Sequence, residues 1–290
     1  MKRFIAILIL MVAAIVLCGC TSYSANKFND LKVEEALSNK EKTKLLEEIE
    51  KTFVEFSKVT ISSESFEKQG QTDNVEKVEI TFKAYSNYLV VGSGKYDVKE
   101  NEEGISFQQS EKIEMSIWAS DENKAILLYS KDGDDEDYSF YSSFTEENAS
   151  TKKNDVYLFV YNYLENMSDE FENLKAYKLK NGGYMLAASE KNESYNAVAW
   201  GNETKERYNL QESQIIVIID KDYHITGITV YSSKSTNRDP DTGEWYSKTK
   251  KVEGTSVSIE ISYGSRKEDS SKVSSLNNSY KDSNKSSTDE

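Results

Sequence analysis

The stretch that decides the fold is IIVIIDKDYHITGI, residues 215–228. Five consecutive β-branched residues precede an acidic turn at Asp220-Lys221-Asp222, and a second apolar run follows that turn. Valine and isoleucine favour strands, and a short polar turn between two such runs is typical of a β-hairpin. The sequence therefore predicts antiparallel strands over Ile215–Ile219 and His224–Tyr231.

Alternating apolar and polar residues predict further strands on both sides of this hairpin. The clearest runs are Val78–Ala84 and Ile113–Ile117, in which every second residue is apolar. A smaller hairpin is predicted from Ala176–Leu179 and Tyr184–Ala188, which flank a glycine turn, and Val257–Tyr263 is predicted to be the last strand. We expect one face of the resulting sheet to be covered and the other to face water.

Two amphipathic helices interrupt the strands. Ser38 and Glu41 have the spacing of a capping box, which predicts a helix start. Apolar residues then recur at helical spacing in this first helix at Leu45, Leu46, Ile49, Phe53 and Phe56. The second helix is predicted from an apolar stripe at Val156, Phe159, Val160, Tyr163, Leu164 and Met167.

The N-terminus has the layout of a secretory signal. Lys2 and Arg3 precede an apolar run from Phe4 to Leu17, which is shorter than the roughly 20 residues of a membrane-spanning helix. Two alternatives are an uncleaved anchor helix and a redox or metal site at the two cysteines.

The motif Leu17-Cys18-Gly19-Cys20 resembles a bacterial lipobox. The resemblance implies that residues 1–19 are a cleaved signal peptide and that Cys20 carries a diacylglyceryl and acyl anchor. Residues 20–37 are then the lipid anchor and tether. The implied location is the extracytoplasmic face of the cell membrane, with the membrane as a partner.

Composition and motifs argue against several functional classes. The net charge of −14 disfavours nucleic-acid partners, and His224 is the single histidine available for a triad or a metal site. The sequence contains no glycine-rich phosphate loop. We predict no enzymatic activity, no catalytic residue, no cofactor and no metal. The acidic runs around Asp134 and Asp241 are interpreted as turns, with weak calcium sites as the alternative.

The C-terminal segment 265–290 is rich in Ser, Lys, Asp and Asn and almost lacks apolar residues. Such a composition buries too little surface to offset the entropy of ordering the chain, so a disordered tail is predicted. The folded domain is predicted to be residues 38–264.

The order of these elements resembles the lipoprotein-carrier fold of the LolA/LppX type. The resemblance implies an α+β fold, in which a strongly curved antiparallel sheet forms an unclosed barrel around one or two amphipathic helices. It also implies that an apolar, lipid-like ligand binds in a groove between sheet and helices. The residues predicted to line this groove are Phe53, Phe82, Phe159, Tyr163 and Ile218.

A second hypothesis stays open at this point. The domain is alternatively an interaction module with a filled core and no ligand, whose sheet face or edge binds another envelope protein.

Overall fold

The structure is a computed structural model. It describes residues 31–52, 55–70, 72–102, 105–162, 173–200, 203–238 and 251–286. Cys20 and the predicted signal peptide lie outside the described residues, so the anchor stays a prediction. None of the described helices is both long enough and apolar enough to cross a bilayer.

The described residues form twelve strands and four helices. The strands are β1 (Val33–Ala36), β2 (Phe56–Gln69), β3 (Thr72–Tyr85), β4 (Leu89–Glu102), β5 (Ile105–Ser120), β6 (Ala125–Asp132), β7 (Asp135–Ser143), β8 (Lys175–Leu179), β9 (Tyr184–Trp200), β10 (Glu203–Ile219), β11 (Ile225–Thr236) and β12 (Lys251–Tyr263). The helices are α1 (Asn39–Thr52), α2 (Ala149–Lys152), α3 (Asp155–Asn162) and α4 (Ser270–Ser286).

All twelve strands belong to one antiparallel sheet, ordered β1-β8-β9-β10-β11-β12-β2-β3-β4-β5-β6-β7. The sheet is curved and does not close, since β1 and β7 are its two edges. Between β7 and β8 the chain crosses from one end of the sheet to the other through α2 and α3. This confirms the predicted α+β class with an unclosed antiparallel sheet.

The predicted hairpin around Asp220 is confirmed. Asp220 Oδ1 accepts hydrogen bonds from the backbone N–H of Asp222 at 2.8 Å and of His224 at 3.0 Å. Val217 pairs with Ile228 across the hairpin. The carboxylate holds the tight turn by binding the backbone two and four residues ahead, as aspartate does in Asx-type turns.

Helix α1 begins as the sequence predicts. Ser38 and Glu41 form a capping box: the Ser38 N–H donates to Glu41 Oε2 at 2.8 Å, and the Glu41 N–H donates to Ser38 Oγ at 3.4 Å. Leu45 and Ile49 are the buried side chains of this helix. They join Val156 and Val160 of α3 in the main apolar core.

Helices α1 and α3 pack on the same face of the sheet, which we call the inner face. Its apolar side chains include Val59 and Ile61 on β2 and Ile80 and Phe82 on β3, and all are buried in one cluster with the helices. The opposite face is called the outer face. Gly94, in register with Ile80 of the inner face, allows β3 and β4 to lie close together, because a Cβ atom there would be 2.0 Å from the Glu79 carbonyl oxygen.

The predicted disordered tail is wrong for Ser270–Ser286, which form α4 on the outer face. Leu276 is buried in a second apolar cluster with Leu89, Trp118 and Leu127. The Trp118 indole N–H donates to Asn277 Oδ1 at 2.9 Å. A short stripe of apolar contacts, together with a capped N-terminus, therefore orders a helix whose serine and asparagine content argued against it.

Asp269 caps α4, because its carboxylate accepts hydrogen bonds from the Lys272 N–H at 3.0 Å and the Ser271 hydroxyl at 2.9 Å. These bonds hold the pKa of Asp269 below its ordinary value of 3.8. Because the pKa of Asp269 is lower in the folded state than in the unfolded state, the ionised carboxylate stabilises the capped helix above pH 3.8. This stabilisation is lost as the pH falls through the folded-state pKa.

We therefore expect acid to speed hydrogen–deuterium exchange of the first-turn amides of α4. Asp269→Asn should remove this acid dependence, because asparagine also caps helices but does not titrate. The comparison of the two proteins at each pH cancels the intrinsic pH dependence of exchange. Equal acid sensitivity in both would contradict this role of Asp269.

Candidate functional site

The inner face has an apolar half and a polar half, and one row of side chains separates them. In register across the sheet, the last apolar row contains Ile215, Val230, Val257 and Val78. Ser63 lies within this row, between Val257 and Val78. Beyond this row the same strands carry polar side chains. Each long strand therefore has one end packed in the apolar core and the other end in the polar half of the inner face.

The polar half of the inner face contains an open cavity of about 600 Å³. Its walls come from β2, β3, β4, β10, β11 and β12. We call this cavity the inner-face groove. Inner-face residues that line it are Ser65, Glu67, Asn74, Glu76, Glu100, Gln211, Ser232, Lys234, Glu253 and Thr255.

A second open cavity of about 660 Å³ adjoins the groove at β9 and β10. It shares Gln211 and Lys234 with the groove and adds Arg207. The two cavities therefore form one continuous polar surface on the inner face, with a volume in the range of small-molecule sites.

Charges at the middle of the groove are paired with one another. Lys251 Nζ lies 2.8 Å from Glu67 Oε1 and 3.3 Å from Glu253 Oε2, and Lys234 Nζ lies 3.6 Å from Glu253 Oε1. This network neutralises the carboxylates of β2 and β12. Half-exposed ion pairs of this kind contribute little to stability, so they are free to be exchanged for ligand contacts.

Among the buried polar atoms that have no hydrogen-bond partner within the described part of the chain, three lie on the inner face of β2, β10 and β12. They are Ser63 Oγ, Thr255 Oγ1 and Arg207 Nε. Ser63 is only 3% exposed. Buried polar atoms normally have a partner, and two of these atoms belong to cavity-lining residues, Thr255 and Arg207, so this surface is suited to water or a polar ligand.

The predicted groove residues do not come together as one open wall. Phe82 and Phe159 share the main core, where they are 1% and 9% exposed, and they fill the interior rather than line an opening. Ile218 lies on the outer face, because Val217 and Ile219 alternate with it and face the core. Phe53 and Tyr163 lie outside the described residues.

Sequence reasoning missed the polar half of the inner face. Its strands, such as residues 99–102 and 189–194, carry polar side chains on both faces, so they lack the alternation that reveals a half-buried strand. The signal available in the sequence was strand length, because a strand that pairs over its whole length requires a neighbouring strand of similar length.

Of the two acidic runs, only the one around Asp134 lies within the described residues. Asp134 lies at the β6–β7 turn, beside Gly133, and Lys131 pairs with Glu136 at 2.6 Å across it. Within the described ranges, no three His, Cys, Asp or Glu side chains are grouped to hold a metal ion. Asp241 lies outside those ranges.

Comparisons with known proteins give structural likeness alone. No protein-family model matches the chain, and no curated protein does. One similar solved structure is LprF from Mycobacterium bovis, with 10% identity, a TM-score of 0.29, and coverage of 79% of this chain and 94% of that chain.

Another is a putative outer membrane lipoprotein-sorting protein domain from Vibrio parahaemolyticus. It has 11% identity and a TM-score of 0.17, with coverage of 78% of this chain and 92% of that chain. At these TM-scores the two similar structures carry no argument about the ligand, and the fold described above rests on the sheet's own topology.

Proposed function

We propose that this chain is a lipid-anchored lipoprotein of the extracytoplasmic membrane face, which binds a lipid-like amphiphile on the inner face of its sheet. Support for the anchor comes from the lipobox-like residues Leu17–Cys20. Support for ligand binding comes from the open groove of about 600 Å³. The proposal includes no enzymatic activity and no nucleic-acid partner.

The observation that carries the proposal is the change from apolar to polar side chains along the inner face. The apolar half is filled by α1 and α3, so a ligand that stays outside the packed core meets the polar half. Next to that half, Phe107 and Ile105 of β5 are 49% and 78% exposed. A polar groove beside exposed apolar side chains matches a molecule with a polar head and an apolar chain.

Native mass spectrometry tests the proposal. The chain from Thr21 to Glu290 keeps every helix and strand that the structure describes. After purification from bacteria it is expected to carry a co-purified lipid that is lost on delipidation and regained when lipid is offered. A mass that stays free of lipid under both conditions would contradict ligand binding.

The anchor has a separate test. Cys20→Ala is expected to abolish acylation, because the thiol that receives the diacylglyceryl group is removed. The full-length variant should lose at least nine-tenths of its metabolically incorporated fatty-acid label, while Cys18→Ala should keep it. Equal labelling of both variants and the parent would contradict lipidation at Cys20.

A second candidate function is protein binding at the free edge of the sheet. Strand β7 is an edge strand, and Phe140 and Tyr141 on it are 58% and 40% exposed. Exposed strand edges pair readily with other extended chains. A lipid-free chain that co-purifies with an envelope protein, and releases it after Phe140→Glu, would favour this candidate.

A further inference from the structure

Two carboxylates of the inner-face groove differ from Glu67 and Glu253 in having no partner within the described ranges. Glu76 and Glu100 line the groove from β3 and β4. Neither forms an ion pair or a hydrogen bond with any described residue. Glu100 is exposed and Glu76 is half-buried. This leaves two negative charges on adjacent strands of one wall.

The outer faces of the same strands show the opposite arrangement. Asp73 pairs with Lys99, and Asp97 Oδ2 lies 2.6 Å from Lys95 Nζ. These lysine contacts hold the pKa of both aspartates below the ordinary value. The strands thus supply cations for the outer carboxylates and leave the inner ones unneutralised.

An exposed aromatic ring stands beside these free charges. Phe107 is the register partner of Glu100 on β5, and Ile105 lies two residues further along the same face. The two side chains are 49% and 78% exposed. An organic ammonium group placed here would be attracted by the carboxylates and by the face of the phenyl ring, while an attached alkyl chain would cover the apolar side chains.

The far end of the polar surface fixes the orientation of such a ligand. Arg207 lies there on β10, and its Nε has no hydrogen-bond partner among the described residues. Its positive charge repels a cation. Between the two ends, the 97% buried hydroxyl of Ser63 has no hydrogen-bond partner among the described residues and lies on the inner face, in the row next to Ser65 and Glu76.

We infer that the β3–β4 end of the inner-face groove binds the ammonium group of a cationic amphiphile, whose alkyl chain lies on Phe107 and Ile105. This inference rests on the proposed function and adds the charge of the head group and its place. The net charge of −14 favours approach of such a ligand over an anionic one.

Isothermal titration of the chain from Thr21 to Glu290 with dodecyltrimethylammonium, below its micelle concentration, tests the inference. The double variant Glu76→Gln/Glu100→Gln is expected to bind it about five- to tenfold more weakly, as the loss of two half-exposed charge contacts implies. Raising the salt concentration should weaken binding to the parent and have less effect on the double variant.

A charge-matched control removes two carboxylates elsewhere. Glu50 and Glu147 are exposed and do not line the groove, so Glu50→Gln/Glu147→Gln should leave dodecyltrimethylammonium binding unchanged. Neutral dodecyl maltoside should bind both double variants like the parent, and Phe107→Ala should weaken binding of both amphiphiles.

The outcomes separate the inference from the proposed function. If dodecyl maltoside binds in a Phe107-dependent manner but Glu76→Gln/Glu100→Gln leaves dodecyltrimethylammonium affinity unchanged, the inference is overturned and the proposed function stands. An equal loss in the charge-matched control would also overturn the inference, because the effect would then be one of net charge. If the parent binds neither amphiphile, both fail.

Discussion

Replacing Phe82 by alanine is expected to lower the free energy of unfolding by about 3–5 kcal/mol, the range for truncating a buried phenylalanine. The ring is 1% exposed and lies against β4, where a Cβ atom at Gly92 would be 2.8 Å from Phe82 Cε1. It therefore fills the interior between sheet and helices, and its removal leaves a cavity. Urea unfolding at an unchanged m-value measures the loss.

This prediction also decides between a packed interior and an apolar ligand groove. If Phe82 lined an open groove, truncation would cost little stability and would change ligand affinity instead. Phe107→Ala is the matched control, since the same side chain is removed from a site that is 49% exposed. A loss below about 1 kcal/mol for Phe82→Ala, similar to that of the control, would contradict the packed interior.

Removing α4 by ending the chain at Glu268 is expected to cost about 2–4 kcal/mol of unfolding free energy, because large apolar side chains on the outer face become exposed. Trp118 is 0% exposed and donates its indole N–H to Asn277, so its fluorescence should shift to longer wavelength. Ending at Glu268 keeps Arg266, whose Nε donates to the Phe56 carbonyl at 2.9 Å.

A chain that ends at Ser286 is the control for this truncation, because it keeps the whole of α4. It should match the parent in unfolding free energy and emission maximum. If the chain ending at Glu268 also matched the parent, α4 would not pack on the outer face in solution. Asn277→Ala, which removes only the hydrogen bond to Trp118, should cost about 1 kcal/mol.

Local sequence signals predicted the parts of the fold that local interactions determine. The Ser38–Glu41 capping box and the Asp220 turn are satisfied by hydrogen bonds between residues four positions apart or fewer. The strand alternation of Val78–Ala84 is visible in the sequence because one of its faces is packed in the core. These elements are confirmed.

The features that were not predicted depend on contacts between residues that are far apart in the chain. Ile215–Ile219 is apolar on both faces, so only the pairing of Val217 with Ile228 shows that Ile218 lies on the outer face. Helix α4 gains its stability from Leu89, Trp118 and Leu127, which are far away in the chain. Its own signal was the capping Asp269 followed by Val273, Leu276 and Tyr280 at helical spacing, within a composition that argued for disorder.

The candidate site was predictable in part. The resemblance to the lipoprotein-carrier fold implies a groove on the sheet face that carries the helices, and the open groove lies on that face. Its polar lining was not predictable, because Glu76, Glu100 and Thr255 lie on three different strands. Only the pairing register of the sheet brings them to one cavity. The exposed Phe107 likewise becomes notable only as the partner of Glu100.

The most direct test of ligand binding on the inner face compares two single cysteines on β2. Ser65 lines the groove and Ser62 faces the opposite side of the same strand; both are half-buried. In the chain from Thr21 onward, which has no other cysteine, Ser65→Cys and Ser62→Cys are labelled with a small thiol reagent, with and without dodecyltrimethylammonium. The ligand is expected to slow labelling of Ser65→Cys several-fold and to leave Ser62→Cys unchanged, whereas equal labelling rates with and without ligand at both positions would contradict binding at the inner face.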